Sequence, residues 1–252
     1  GLGDVYKRQL FDCGEGTQRQ LSRSVGLVEL DAIFITHYHA DHWLGLPGLL
    51  KTLDLRERNR PLEVFGPPGL SNVFDLVEAA VGTTRFEVIE SELQPDEEID
   101  FPGLFVTPFE VKHRGASFGY SIYEPERPGR VDLERAAQLG IVPGPDLGRL
   151  QRGEEVSGVK PEDVLGEARP GRRIVISGDT APCSAVASAA DGCDVLIHEA
   201  TFADDEVDRA EAKAHTTARQ AGRIAADAGV GLLALTHLSS RYSGWEHKIE
   251  AR

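Results

Sequence analysis

A chain of 252 residues lies just above the size at which a single core stops growing, so one large domain or two packed halves are both allowed. Its 40% hydrophobic and 27% charged residues exclude a disordered chain, a collagen-like repeat and a disulfide-dense miniprotein. The 41 acidic against 27 basic residues, net −14, exclude a protein that coats nucleic acid with its whole surface, so an anionic ligand has to be held locally. No apolar run approaches about 18 residues, and no cationic segment leading into an apolar stretch opens the chain. Neither a membrane span nor a secretory signal is therefore read, and a cytoplasmic setting is expected. Cys13, Cys183 and Cys193 lack C-x-x-C spacing and read as reduced thiols.

In chain order, short β-branched or aromatic runs bounded by Pro or Gly predict strands at 32–36, 62–65, 104–111, 118–123, 173–177, 194–198 and 232–235. Helical stretches are predicted at 45–53, 70–80 and 213–228, the last rich in alanine and closed by Gly229. Hairpins in the middle and strands alternating with helices elsewhere suit an α/β fold with helices packed outside sheets better than a doubly wound sheet. No internal repeat is visible. Residues 124–171, rich in Pro, Gly and charge and without sustained periodicity, predict an arm that protrudes from a single domain spanning 1–252, because the flanking strands pair without it.

The chemistry concentrates in Thr36-His37-Tyr38-His39-Ala40-Asp41-His42. At a strand end, residues two apart point to one face, so His37 and His39 converge on one ion, while Asp41 and His42 follow as the chain turns toward a helix and face a second. Further ligands are expected at other strand ends, where His113, Asp179 and His237 stand. Together they allow His37, His39 and His113 on one ion and Asp41, His42 and His237 on the other, with Asp179 bridging. Imidazole and carboxylate donors suit zinc. Two such ions roughly 3.5–4 Å apart activate a shared water and clamp both oxygens of an in-line displacement, which fits a phosphodiester, and their charge offsets the acidic composition.

The His-x-His-x-Asp-His run resembles the metallo-β-lactamase superfamily, and further stretches resemble the ribonuclease Z family within it. These are Phe11-Asp12-Cys13-Gly14-Glu15-Gly16-Thr17-Gln18, His113 with Phe118-Gly119-Tyr120, Ser177-Gly178-Asp179-Thr180, His198-Glu199-Ala200-Thr201, and Thr236-His237-Leu238-Ser239-Ser240-Arg241-Tyr242. The resemblance implies an αββα sandwich, two zinc ions, and endonucleolytic removal of the 3′ trailer from precursor transfer RNA, leaving a 3′-hydroxyl on the tRNA and a 5′-phosphate on the trailer. It makes Asp41 the proton acceptor for the attacking water as well as a ligand. It makes His215, in a His215-Thr216-Thr217 counterpart of the family's His-Ser-Thr loop, the donor to the leaving 3′ oxygen with help from Glu199. It also makes 124–171 a flexible arm that grips the tRNA elbow, often across a homodimer, with Gly144-Pro145 in the place of the family's Gly-Pro motif. The arm's charges nearly cancel, so shape and backbone contacts share in recognition.

The residues alone leave His215 open between this role and a helix cap or surface position, and His198 open between a role and strand-end packing; His247 reads as solvated. Residues 1–9 do not read like the family's opening strand and loop, and the chain stops soon after Tyr242 without the usual closing helix and strand, so a fold truncated at both ends is expected. Two other readings stand beside the endonuclease. A dizinc hydrolase of a small phosphodiester, lactone or thioester would not need the arm, and an RNA-binding remnant without catalysis would hold less than one zinc per chain.

Overall fold

The structure, a computed structural model, describes residues 8–242. They form two compact units, one made by the chain up to Ile122 and again from Ile174, the other by Tyr123–Arg173.

In the first unit, β1 (Gln9–Phe11) leads through a glycine-containing loop to α1 (Thr17–Ser24) and then to β2 (Ala32–Phe34), followed by the single turn α2 (Ala40–Trp43) and α3 (Leu46–Leu55). Next come β3 (Leu62–Gly66), α4 (Leu70–Val81) and β4 (Val88–Glu92), and β1 to β4 pair in parallel in that order. The run Ala32-Ile33-Phe34-Ile35 is apolar throughout because both faces of this central strand are covered. Ile33 and Ile35 pack with Leu46, Leu49, Leu50, Val73 and Val77 under the helices. Ala32 and Phe34 face the other way and pack with Phe101, Val106, Phe118 and Tyr120 of the second sheet.

That second sheet contains β5 (Ile99–Phe101), β6 (Leu104–Glu110), β7 (Phe118–Glu124), β8 (Arg172–Ile176), β9 (Val195–Glu199) and β10 (Leu232–Thr236), in the order β10-β9-β8-β7-β6-β5. β5 and β6 form an antiparallel hairpin, and β8, β9 and β10 run parallel. Its outer face carries Val175 and Leu196 against Ala190 and Ala225, so the layers are helix, sheet, sheet, helix, the αββα sandwich expected. Cys13, Cys183 and Cys193 are free thiols. Among the described residues no helix is long and apolar enough to cross a membrane.

Two expectations need correction. The 173–177 and 194–198 strands appear one residue or so shifted, but the strand predicted at 32–36 stops at Phe34. There the Thr36 N–H leaves the ladder to donate to Asp12 (2.8 Å). His37 and His39 therefore converge from a loop and not from a pleated strand. The helix predicted at 213–228 begins only at Ala218, because residues 214–217 form a turn after a separate preceding helix that ends at Lys213. Ahead of β8 lie the three helices of the other unit, α5 (Leu133–Gln138), α6 (Pro145–Gln151) and α7 (Pro161–Val164); after it come α8 (Ser184–Ala190), α9 (Val207–Lys213) and α10 (Ala218–Asp227). Alanine on both sides of 214–217 hides the break. Ala214 is left-handed (φ 57°), and Thr217 and Gln220 form a reciprocal cap at the start of α10. Residues 1–7, most of the stretch that does not read like the family's opening strand and loop, lie outside the described residues, and β1 begins at Gln9.

The second unit also differs from the irregular arm expected. Ala136, Ile141, Leu150, Val156, Val159 and Val164 form a core of its own, and antiparallel bridges tie Arg127 to Arg169 and Val131 to Leu165. Its helices are 6, 7 and 4 residues long, too short for a 3.6-residue period to build up in the sequence.

One tie in the first unit is pH-dependent. Asp54 of α3 is 5% exposed and accepts hydrogen bonds from the Arg85 backbone N–H (2.8 Å), Arg85 Nε (3.2 Å) and Lys51 Nζ (3.2 Å). The Arg85 N–H, joined by those two charges, holds its carboxyl down at about 2. A carboxyl depressed on folding stabilises the fold above its unfolded pKa of about 3.9 and loses that contribution as pH falls through the folded value. The stability gap between the native chain and Asp54→Asn, measured by urea unfolding, should therefore narrow between about pH 4 and pH 2.

Candidate active site

The site lies where the loops after β1, β2, β6, β8, β9 and β10 meet. Gly14 and Gly45 let two of these loops press together: a Cβ on Gly45 would overlap the Gly14 carbonyl oxygen, and one on Gly14 the Asp41 carbonyl oxygen. Asp12, in the left-handed region (φ 58°), uses this proximity. Its carboxylate accepts from the Thr36 N–H (2.8 Å), the Thr36 hydroxyl (3.0 Å) and His42 Nδ1 (2.6 Å).

All seven residues read as ligands are brought together. His39 Nδ1 is 2.9 Å from His37 Nε2 and 3.2 Å from His113 Nε2. His237 Nε2 is 3.2 Å from Asp41 Oδ2, and His42 Nε2 is 3.6 Å from the same oxygen. Asp179 Oδ2 joins the two sets, at 3.7 Å from His37, 4.0 Å from His113, 3.5 Å from His42 and 3.5 Å from His237. The ligand atoms of His37, His39, His113 and Asp179 lie within 4.8 Å of one another, as do those of Asp41, His42 and His237.

The outward nitrogens explain why the inward ones converge. His42 Nδ1 donates to Asp12, His113 Nδ1 to the Ala214 carbonyl (2.8 Å), His37 Nδ1 to the Thr36 hydroxyl (3.0 Å) and His237 Nδ1 to the Thr201 hydroxyl (2.7 Å). With those protons placed outward, the Nε2 lone pairs face inward and toward each other, an arrangement that only a proton or a cation relieves. His42 Nε2 is buried and has no hydrogen-bond partner, so a divalent ion fits this donor set.

Electrostatics agree. Burial, then the neighbouring His42, pushes His37 down to about 3. Burial also opposes a charge on His42, but Asp12 and Asp179 outweigh it and raise His42 to about 10. Burial works against ionised Asp179, yet the His42 hydrogen bond and the surrounding histidines hold its carboxyl well below the usual range.

Beside this cluster stands a second pair. Glu199, 1% exposed, accepts four hydrogen bonds: from Thr180 N–H (2.9 Å) and His215 Nδ1 (2.7 Å) at one oxygen, and from the Thr201 N–H (3.0 Å) and hydroxyl (2.6 Å) at the other. Burial pulls His215 down, but the Glu199 carboxylate outweighs it and raises its pKa. The His215 ring stands 4.9 Å from that of His113 and 5.7 Å from that of His237, centre to centre. Thr201 links the two groups, since its hydroxyl donates to Glu199 while accepting from His237.

His198 points away: it is fully buried and donates from Nδ1 to the Glu199 carbonyl (2.8 Å). Gly144 and Pro145 lie in the second unit at the start of α6. His247 falls outside the described residues. Sequence reasoning gave no role to Asp12, Thr36, Thr201 or the Ala214 carbonyl. For Asp12 a signal existed, an acid directly after a strand and opposite a histidine run; the Ala214 carbonyl had none, because it depends on one left-handed residue.

The sequence profile of the metallo-beta-lactamase superfamily matches residues 8–199. The chain is 48% identical over 239 residues to ribonuclease Z of Myxococcus xanthus, spanning 92% of this chain and 78% of that protein. It is 44% identical to ribonuclease Z of Methanosarcina acetivorans, covering 93% and 79%. Among solved structures, the human short form of tRNase Z superposes with a TM-score of 0.67 at 28% identity, covering 92% of this chain and 82% of that one. A histidine–aspartate cluster on an αββα sandwich, together with relatives this similar along most of their length, means that the chain belongs to the ribonuclease Z family of the metallo-beta-lactamase superfamily.

Proposed function

We propose that the chain is a zinc-dependent endoribonuclease that removes the 3′ trailer of precursor tRNA, leaving a 3′-hydroxyl on the tRNA and a 5′-phosphate on the trailer. The observation that carries the mechanism is Asp179 Oδ2, placed within 4.0 Å of four histidine nitrogens from both donor sets. His37, His39 and His113 would hold one ion, Asp41, His42 and His237 the other, and Asp179 both. Two zinc ions, when bound, supply charge that activates a water at neutral pH and offsets the phosphate.

The chain's own groups do the rest. Asp41, with a side chain 65% exposed, accepts the proton of the attacking water. His215 keeps Nδ1 on Glu199 and so presents a proton at Nε2 to the 3′ oxygen as its bond to phosphorus breaks. Glu199, fixed by four hydrogen bonds, stabilises the charged imidazole that this step needs. Gly144 and Pro145 of the second unit contact the tRNA elbow, and a homodimer and a cytoplasmic setting complete the reading. The family resemblance of the arm supports the dimer, and the substrate supports the location.

The test is incubation of the zinc-loaded protein with a precursor tRNA of defined trailer. Cleavage directly after the discriminator nucleotide with a 3′-hydroxyl product is expected. An intact precursor beside rapid turnover of a small diester would contradict the assignment.

A further inference from the structure

A cavity of about 640 Å³ opens beside Asp41, lined by Gly14, Gly16, Thr17, Gln20, Ala40 and Leu44, with Glu15 and Asp41 supplying its acids. That volume falls in the range of small-ligand sites, roughly 300–1,000 Å³. Asp41 lines it and neither His215 nor His237 does, so it opens on the Asp41 flank of the centre.

The reaction's geometry then decides what enters. An in-line displacement sets the attacking water opposite the leaving 3′ oxygen. On the reading above, that oxygen belongs to the tRNA and receives its proton from His215, so the tRNA body leaves on the His215 side. The trailer's 5′ oxygen stays on phosphorus as an equatorial substituent, so the RNA 3′ of the cut leads away from that axis, and the cavity on the Asp41 flank is open to it. We infer that the cavity between α1 and α2 is a subsite for the first nucleoside of the trailer, and that α1 guides the trailer phosphates that follow.

The lining fits a nucleoside. Leu44 is 46% exposed, an apolar shelf for a base, and Gln20 offers an amide that both donates and accepts. Glu15 would repel a phosphate but accepts from a ribose hydroxyl or a base amino group. Cations for the backbone stand farther along the helix. Gly16, Gln20 and Arg23 follow one another at the i, i+4, i+7 spacing of a single face, with Arg19 next to it. Arg19 and Arg23 are exposed and make no ion pair among the described residues, in a chain whose net charge is −14.

The inference rests on the proposed trailer cleavage and is tested by Arg19→Ala/Arg23→Ala, two helix-favouring changes outside the catalytic cluster. KM is measured for precursors with trailers of one and of five nucleotides. The expected result is a KM raised about tenfold for the long trailer and unchanged for the short one, with the salt dependence of long-trailer binding reduced by about 1.4 in log–log slope, the value for two single-strand phosphate contacts. Gln20→Trp, which fills the cavity, should raise KM for both trailers and leave inhibition by mature tRNA unchanged. An equal KM rise for both trailers in the arginine variant, or weaker inhibition by mature tRNA, would place the tRNA body here and overturn the inference; so would no change in either variant. Binding of a 5′-phosphorylated pentaribonucleotide, followed by fluorescence anisotropy, keeps the two claims apart. Native binding that is lost in both variants supports the subsite even if no precursor is cut, whereas binding unaffected by them contradicts it.

Discussion

Replacing His215 by alanine lowers precursor cleavage by about 10²–10⁴-fold, the range for a positioned general acid, without changing the amount of zinc held. The geometry makes the second half of that result informative. His215 lies within 4.8 Å of Asp179 and His237 and could be mistaken for a ligand. Its Nδ1 is committed to Glu199 at 2.7 Å, whereas His42, His37, His237 and His113 spend their outward nitrogen on Asp12, Thr36, Thr201 and a carbonyl and aim the other inward. Single-turnover rates with metal analysis of the same preparation check both halves, and a variant that loses zinc along with activity would make His215 a ligand. The companion change Glu199→Gln has a sign. The acid works protonated, so the rate falls as pH rises through its pKa, which Glu199 raises. Removing the carboxylate charge moves that falling limb to lower pH.

Asp179→Asn produces the other large effect. One oxygen serves both donor sets, so the loss is shared: zinc binds more weakly at both positions, and cleavage drops to background. Asp12→Asn gives a scale for comparison. It weakens the group that orients His42 and tethers Thr36 without removing a proposed ligand, for which about a 10–100-fold loss of metal affinity is expected. Asp179→Asn should exceed that for both ions in a competition titration with a chelator. Loss confined to one ion would mean that Asp179 does not bridge. Circular dichroism distinguishes either outcome from unfolding, since the cluster sits on loops above a core that does not include it.

Much of this site was legible because its signals are local. His37, His39, Asp41 and His42 fall within six residues, and His113, Asp179 and His237 each follow an apolar run that reads as a strand. Helices packed outside sheets were legible from hairpins in the middle and strands alternating with helices elsewhere, and the αββα layering from the family resemblance. What was missed depends on single backbone angles or on short elements. No periodicity announces that Thr36 leaves its strand for Asp12, that Ala214 turns left-handed to split α9 from α10, or that helices of four to seven residues give 123–173 a core. α1 was overlooked because Leu21 is the only apolar residue among its eight, although its polar face borders the cavity beside Asp41.

The claim on which the chemistry depends is that two ions share Asp179. Anomalous scattering at the zinc edge, from crystals of the zinc-loaded protein, measures it directly. Two peaks about 3.5–4 Å apart, each roughly 2.0–2.2 Å from an Asp179 carboxylate oxygen, are predicted. A single peak, or two peaks of which one lies out of reach of Asp179, would contradict the account.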